Sequence, residues 1–135
     1  MNNQYQTKII DFGIAKVHGN NITLSCQTLG TMNYIPPEQI DNAKSVDYRV
    51  DIYGLGATLY YLLLGKPPYF DTKGIHALTL KITSTPVTPL KELMNIPVSI
   101  SNLVENAMKY DKKERYQTAQ EMFMAIKKEL EKFDK

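Results

Sequence analysis

Asp47-Tyr48-Arg49-Val50-Asp51-Ile52-Tyr53-Gly54-Leu55-Gly56-Ala57-Thr58-Leu59-Tyr60-Tyr61-Leu62-Leu63-Leu64, followed by Gly65 and then Pro67-Pro68, is the stretch that decides how this chain folds. Its central part is apolar nearly all round, as suits a helix surrounded by protein. A glycine with prolines just beyond it closes such a helix. The apolar run from Ile52 to Leu64 has 13 residues, short of the roughly 18 or more that suggest a membrane span. The reading is a buried helix at the centre of a domain.

Working outward, Thr72 to Ile82 predicts a second helix, with Ile75, Leu78 and Ile82 at spacings of three and four. Residues 83–97 hold three prolines and read as a connector. Ser99 to Met108 predicts a third helix with Ile100, Leu103, Val104 and Ala107 in one stripe, capped by Ser99 or Ser101. Thr118-Ala119-Gln120-Glu121 fits a capping box, in which the Thr and Glu side chains each accept a bond from a free backbone amide. A final helix should start there, with Ala119, Met122, Phe123, Ile126, Leu130 and Phe133 on its apolar face. Toward the N-terminus, Pro36-Pro37-Glu38-Gln39-Ile40 predicts one short helical turn, since proline is tolerated at the first helical position. Residues 16–36 read as a long loop of the kind that carries function. Lys8-Ile9-Ile10 reads as a short strand with no visible hairpin partner.

At 135 residues, 43% hydrophobic and 22% charged, the chain has the composition of one soluble packed domain. A net charge of only +2 lacks the basic excess of a nucleic-acid binder. Cys26 is the only cysteine, so no internal disulfide is possible, and a reducing, cytoplasmic setting is expected. The first ten residues carry neither a cationic start nor an apolar signal-peptide run. His18 and His76 lack acidic or cysteine neighbours at metal-ligand spacing and read as surface residues, while the methionines read as core filling. From Lys109 onward eight basic and six acidic residues read as a solvated face.

Asp11-Phe12-Gly13 follows the expected strand, and an Asp at a strand end beside a flexible Gly is well placed to hold Mg²⁺. Gly30-Thr31-x-x-Tyr34-x-x-Pro37-Glu38 follows, with Glu38 27 positions after Asp11. Asp51-x-x-x-x-Gly56 then opens the apolar helix 13 positions after Glu38, and Arg115 stands 64 positions after Asp51. In this order and spacing, residues 1–135 resemble the second half of a eukaryotic-type (Hanks-type) Ser/Thr protein kinase domain. The Gly-Thr-x-x-Tyr form resembles the Ser/Thr branch, and Asp51-Ile52-Tyr53, where many members have Trp, resembles bacterial members. The resemblance implies a mainly α large-lobe fragment: a short N-terminal β-strand, an activation segment over 11–38 and four to five helices.

By the same resemblance, Asp11 would coordinate the Mg²⁺ of MgATP, Phe12 would pack toward the small lobe, and Gly13 would let the pair swing. Thr23, Ser25 and Thr28 become candidate phosphosites, with Lys16 placed to meet a phosphate. Thr31 matches the position that contacts the catalytic Asp, and Tyr34 and Pro37 match positions that shape the peptide-substrate site. Glu38 is expected to pair with Arg115 in a buried ion pair. Asp51, with Gly56 in the same helical motif, matches the residue that accepts backbone hydrogen bonds from the catalytic loop; a plain helix-start carboxylate is the other reading.

The sequence departs from the family by having no Gly-rich phosphate loop, no strand Lys paired with a Glu and no His-Arg-Asp loop. Gly54-Leu55-Gly56 lies inside the apolar helix, and Met124-Ala125-Ile126-Lys127 lies in the final helix, so neither supplies these parts. Pro36 stands where Ala is usual, and Asp111-Lys112 where Asp-Pro is common. The expectation is part of a Ser/Thr kinase, inactive alone, whose partners are a protein substrate or the missing kinase half. A non-catalytic kinase lobe serving as a binding or scaffold module is the alternative. The helix over 51–64 should lose part of its cover, leaving an apolar patch that favours self-association.

Overall fold

A computed structural model describes residues 6–10 and 32–135. Six α-helices follow in order: α1 Pro37–Asp41, α2 Arg49–Leu64, α3 Ile75–Ser84, α4 Leu90–Leu93, α5 Val98–Ala107 and α6 Ala119–Phe133, with 3₁₀ turns at Ala43–Ser45 and Lys112–Glu114. With six helices where four to five are expected, the short α1 and α4 making up the number, the mainly helical class is what the described residues show. They contain no strand: residues 6–10 have no regular structure, and Ile9 and Ile10 are 83% and 80% exposed. The expected strand over Lys8–Ile10 is therefore corrected. A strand must pair its backbone groups with a neighbour, and no described segment offers one.

α2 organises the rest. Ile52, Tyr53, Gly56, Ala57 and Tyr60 form its buried face, a stripe of i, i+1, i+4, i+5 and i+8 positions. Gly65 ends it in the left-handed region at φ 78°, its amide donating to the Tyr61 carbonyl. α5 crosses this face at Gly56, where a Cβ would lie 2.7 Å from Ala107 Cβ and 2.9 Å from Met108 Cγ. Only a glycine permits that approach. The opposite side of α2 is open: Leu55, Tyr61, Leu62 and Leu63 are 37% to 69% exposed. The helix expected to be buried throughout is buried on one face, and the expected apolar patch is present.

Several boundaries move for local reasons. α3 begins at Ile75 and not at Thr72, because Gly74 sits at φ 90°, ψ 142°, outside helical space. α5 begins at Val98 behind Pro97, whose carbonyl accepts from the Ile100 and Ser101 amides. Neither Ser99 nor Ser101 caps it, which corrects that expectation. The Ser99 hydroxyl donates to Glu129 of α6 (2.7 Å), and Ser101 Oγ accepts from the Lys91 amide (3.1 Å) while donating to Glu105 (2.9 Å). The connector over 83–97 contains α4, anchored by the buried Leu90.

At α6, Thr118 Oγ1 accepts from the Glu121 amide at 3.0 Å, as the capping box requires. The Glu121 carboxylate accepts from the Gln117 amide instead of Thr118's own, closing the box one residue early (2.6 Å). Of the expected apolar face, Met122 is buried and Ile126 half-buried, but Phe123, Leu130 and Phe133 are exposed. Met32, Met108 and Met122 fill the core and Met94 packs against it, whereas Met124 is exposed. His76 lies at the surface; His18 and Cys26 lie outside the described residues.

Candidate functional site

The segment 32–41 is pinned at both ends. Met32 is fully buried, and its carbonyl accepts from the Ile35 amide to make a turn. Asn33 Nδ2 donates to the Pro68 carbonyl at 2.6 Å, tying this turn to the chain that leaves α2. The next residue there, Tyr69, holds a left-handed φ of 58° and is itself fixed by its hydroxyl bond to the Thr85 carbonyl. Pro36 in extended conformation leads into α1, where the buried Pro37 occupies the first turn. A proline there gives up no hydrogen bond, since first-turn amides are free in any helix. Tyr34 lies half-buried between these anchors, and burial raises its phenol pKa.

Glu38 and Arg115, 77 positions apart, meet as a two-pronged pair: Nη1 to Oε1 at 2.6 Å and Nη2 to Oε2 at 2.7 Å. Arg115 makes three further bonds, from Nε to the Lys109 carbonyl (2.7 Å), from Nη1 to the Arg49 carbonyl (3.3 Å) and from Nη2 to the Tyr110 carbonyl (3.2 Å). All five guanidinium N–H groups thus have an acceptor. The Tyr53 ring lies beneath the guanidinium, 5.0 Å from its centre. Burial raises the Tyr53 phenol far above its usual range, so that ring stays neutral beside the cation. Arg115 is only 3% exposed, a buried charge made tolerable by a complete set of partners. Part of the tail expected to be solvated is therefore core.

Asp51 lies in the first turn of α2 with its side chain exposed, where the helix dipole favours a carboxylate. Gly56 is the helix-crossing point described above. Asp11, Phe12, Gly13, Lys16, Thr23, Ser25, Thr28 and Thr31 lie outside the described residues. Among the described residues no three His, Cys, Asp or Glu side chains cluster to hold a metal ion. Beside the ion pair a cleft of about 260 Å³ opens, floored by Tyr53, Tyr69 and Met108 and rimmed by Lys109 and Glu114.

Two features of the site have no counterpart among the sequence motifs. Asn33 sits at an unspecified position of the Gly-Thr-x-x-Tyr motif, and nothing in the sequence points to Pro68 as its acceptor. The second is a polar cluster at the entry to α2. Asp47 accepts from Arg49 Nε (3.0 Å), Arg49 Nη2 (2.7 Å) and the Arg49 amide (2.9 Å), and Lys112 Nζ lies 3.0 Å from the same carboxylate. The Arg49 bonds hold the Asp47 carboxyl well below the usual carboxylate range. The Asp47-x-Arg49 spacing at a helix start was the signal available for it.

The protein kinase domain model matches residues 1–125. The chain is 34% identical over 118 residues to the serine/threonine-protein kinase PknB of Mycolicibacterium smegmatis, covering 85% of this chain and 19% of that protein. It is 34% identical over 122 residues to a probable serine/threonine-protein kinase, CPE1738, of Clostridium perfringens, covering 90% of this chain and 18% of that protein. A third relative, the probable serine/threonine-protein kinase nek3 of Dictyostelium discoideum, is 35% identical over 115 residues, covering 85% and 10% of the two chains. The chain thus spans about a fifth or less of the length of these curated relatives.

Proposed function

The chain belongs to the protein kinase domain family, and from that premise we propose that it is the large-lobe portion of a Ser/Thr kinase that transfers the ATP γ-phosphoryl group to protein Ser or Thr. The observation that carries the proposal is the Glu38–Arg115 fork. It ties Glu38 of α1 to residues 109–115, which supports reading 11–38 as an activation segment whose Tyr34 and Pro37 would shape a surface for a peptide substrate. Bound MgATP would supply the phosphoryl group, with Asp11, Phe12 and Gly13 as its contacts here. Thr31 would face the catalytic carboxylate, and Thr23, Ser25 or Thr28, with Lys16 nearby, would take the activating phosphate.

Phosphoryl transfer in this proposal needs a Gly-rich loop, a paired Lys and a His-Arg-Asp loop, which these 135 residues do not contain. The proposed partners are a protein substrate or the missing kinase half, the polypeptide portion bearing those parts. The open face of α2, with Leu55, Tyr61 and Leu62 exposed, supports association either with that polypeptide or with a second copy. We place the protein in the cytoplasm; among the described residues no helix is long and apolar enough to cross a membrane.

The test is incubation of the pure chain with γ-labelled ATP and a generic Ser/Thr substrate, alone and with a purified kinase segment carrying the three missing parts. No transfer alone and transfer in the mixture is the expected result. Robust transfer by the chain alone refutes the proposed division of labour. A stable monomer that binds peptide, yet never supports transfer in the mixture, selects the scaffold reading.

A further inference from the structure

The polar cluster at the entry to α2 and the Glu38–Arg115 pair share atoms. Arg49 Nη1 donates to Gln117 Oε1 at 2.8 Å. Gln117 Nε2 donates to the Arg115 carbonyl at 2.6 Å. Arg115 Nη1 donates back to the Arg49 carbonyl at 3.3 Å and, on its other side, to Glu38. The three residues form a closed circuit in which each donates to the next. Asp47 grips the remaining edge of the Arg49 guanidinium, and Lys112 joins Asp47 while also donating to the Ser45 carbonyl.

We propose that Asp47, Lys112 and Gln117 are positioning residues for α1, acting through Arg49 and Arg115 on Glu38. None of the three bonds to Glu38 itself, whose carboxylate accepts from Arg115. Each fixes a group that fixes the next: Asp47 and Gln117 hold the Arg49 side chain, the Arg49 carbonyl and Gln117 orient Arg115, and Arg115 holds Glu38. Side-chain networks of this kind act as units, so loss of one member loosens the others. The Asp47, Arg49 and Lys112 side chains are 32%, 16% and 20% exposed, so the cluster lies at the rim of the fold and can loosen without opening its core. A change at 111–117 would thereby reach the end of the proposed activation segment. The proposal rests on the kinase reading for what α1 serves; the measurement below reads α1 itself, so the two can fail separately.

The experiment is amide hydrogen exchange on the full chain carrying Asp47→Asn, Gln117→Ala or Lys112→Arg. The reporters are the α1 amides of Gln39, which donates to the Pro36 carbonyl, and Asn42, which donates to the Glu38 carbonyl. The control is the Thr85 amide at the end of α3, which donates to the Lys81 carbonyl. Asp47→Asn and Gln117→Ala should each lower protection of the α1 amides about tenfold while the Thr85 amide changes less than about twofold, the mark of local opening. Lys112→Arg keeps the cation on Asp47 and should leave all three amides unchanged. Equal loss at every amide means that the cluster merely stabilises the fold, and overturns the proposal. Unchanged α1 protection overturns it too. Should Asp47→Asn fail to fold, Gln117→Ala, which removes no charge, gives the same comparison.

Discussion

Two glycines two residues apart on α2, and so on different faces of it, should respond oppositely to the same added methyl. At Gly54 no atom lies within 4 Å of an added Cβ, so Gly54→Ala brings only the helix-propensity gain of about 0.8 to 1 kcal/mol. At Gly56 the new carbon would stand 2.7 Å from Ala107 Cβ and 2.9 Å from Met108 Cγ. Carbon contacts are comfortable at about 3.5 to 4.0 Å, so α2 and α5 must separate by roughly 1 Å. Overpacking of this kind costs about 1 to 3 kcal/mol, and the same propensity gain offsets part of it. The two variants should therefore differ by about 2 kcal/mol, with Gly54→Ala above the parent and Gly56→Ala at or below it. For a chain of this size that is a separation in Tm on the order of 8 °C. Thermal unfolding followed by circular dichroism at matched concentration reads it directly. Equal Tm values for the two variants, or Gly56→Ala the more stable, would refute the packing assigned to the α2–α5 crossing.

Glu38→Ala leaves the buried Arg115 guanidinium without its counter-charge, and breaking such a pair costs about 3 to 5 kcal/mol; urea unfolding should show a midpoint at least about 1 M lower, and an unchanged midpoint sinks the assignment. The Asp47 carboxyl is held low in the fold by Arg49, so its contribution is full above the unfolded carboxylate pKa of about 3.9 and is lost as pH falls below it. Asp47→Asn should accordingly flatten the acid limb of a Tm-against-pH curve; an acid limb as steep as the parent's counts against the Arg49 contact. Burial pushes the Tyr60 and Tyr69 phenols up to about 12, so both stay neutral in the fold as pH passes 10, and stability falls between about 10 and 12 as the unfolded phenols ionise. Absorbance at the phenolate band should show late-titrating tyrosines whose ionisation accompanies loss of helix, and removing either side chain as Phe should reduce that late step. Titration of every tyrosine near 10 with the helix signal intact contradicts their burial.

Arg115 is the point at which distant stretches of the chain become one object. Its side chain contacts α1 through Glu38, the start of α2 through the Arg49 carbonyl and the Tyr53 ring, and the turn after α5 through the Lys109 and Tyr110 carbonyls. A lysine could not replace it, because one compact ammonium has three donors and no planar fork. The segment 32–41 is thus supported by a residue far from it in sequence. That arrangement explains why Tyr34 and Pro37, near the ends of a long loop in sequence, are held in place.

The sequence by itself determined the helical class, α2 with its glycine stop, the capping of α6 and the likeness to a kinase large lobe, because these rest on local periodicity, turn chemistry and motif spacing. It also pointed to Glu38 and Arg115, by resemblance. Where α3 and α5 begin was less legible: Gly74 and Pro97 set those boundaries through backbone conformations that periodicity does not register. Which face of α2 would be buried, and that Phe123, Leu130 and Phe133 would remain exposed while Met122 did not, required the packing partners. So did the roles of Ser99 and Ser101, read as caps but spent on bonds to Glu129 and to the Lys91 amide. Lys8–Ile10 has strand-forming residues and no strand, since a ladder is made by two segments and one sequence stretch can state only its half. Likewise the Arg49–Gln117–Arg115 circuit joins residues up to 68 positions apart, and two of its three bonds end on backbone carbonyls, groups that every residue has and that only the tertiary structure brings within reach.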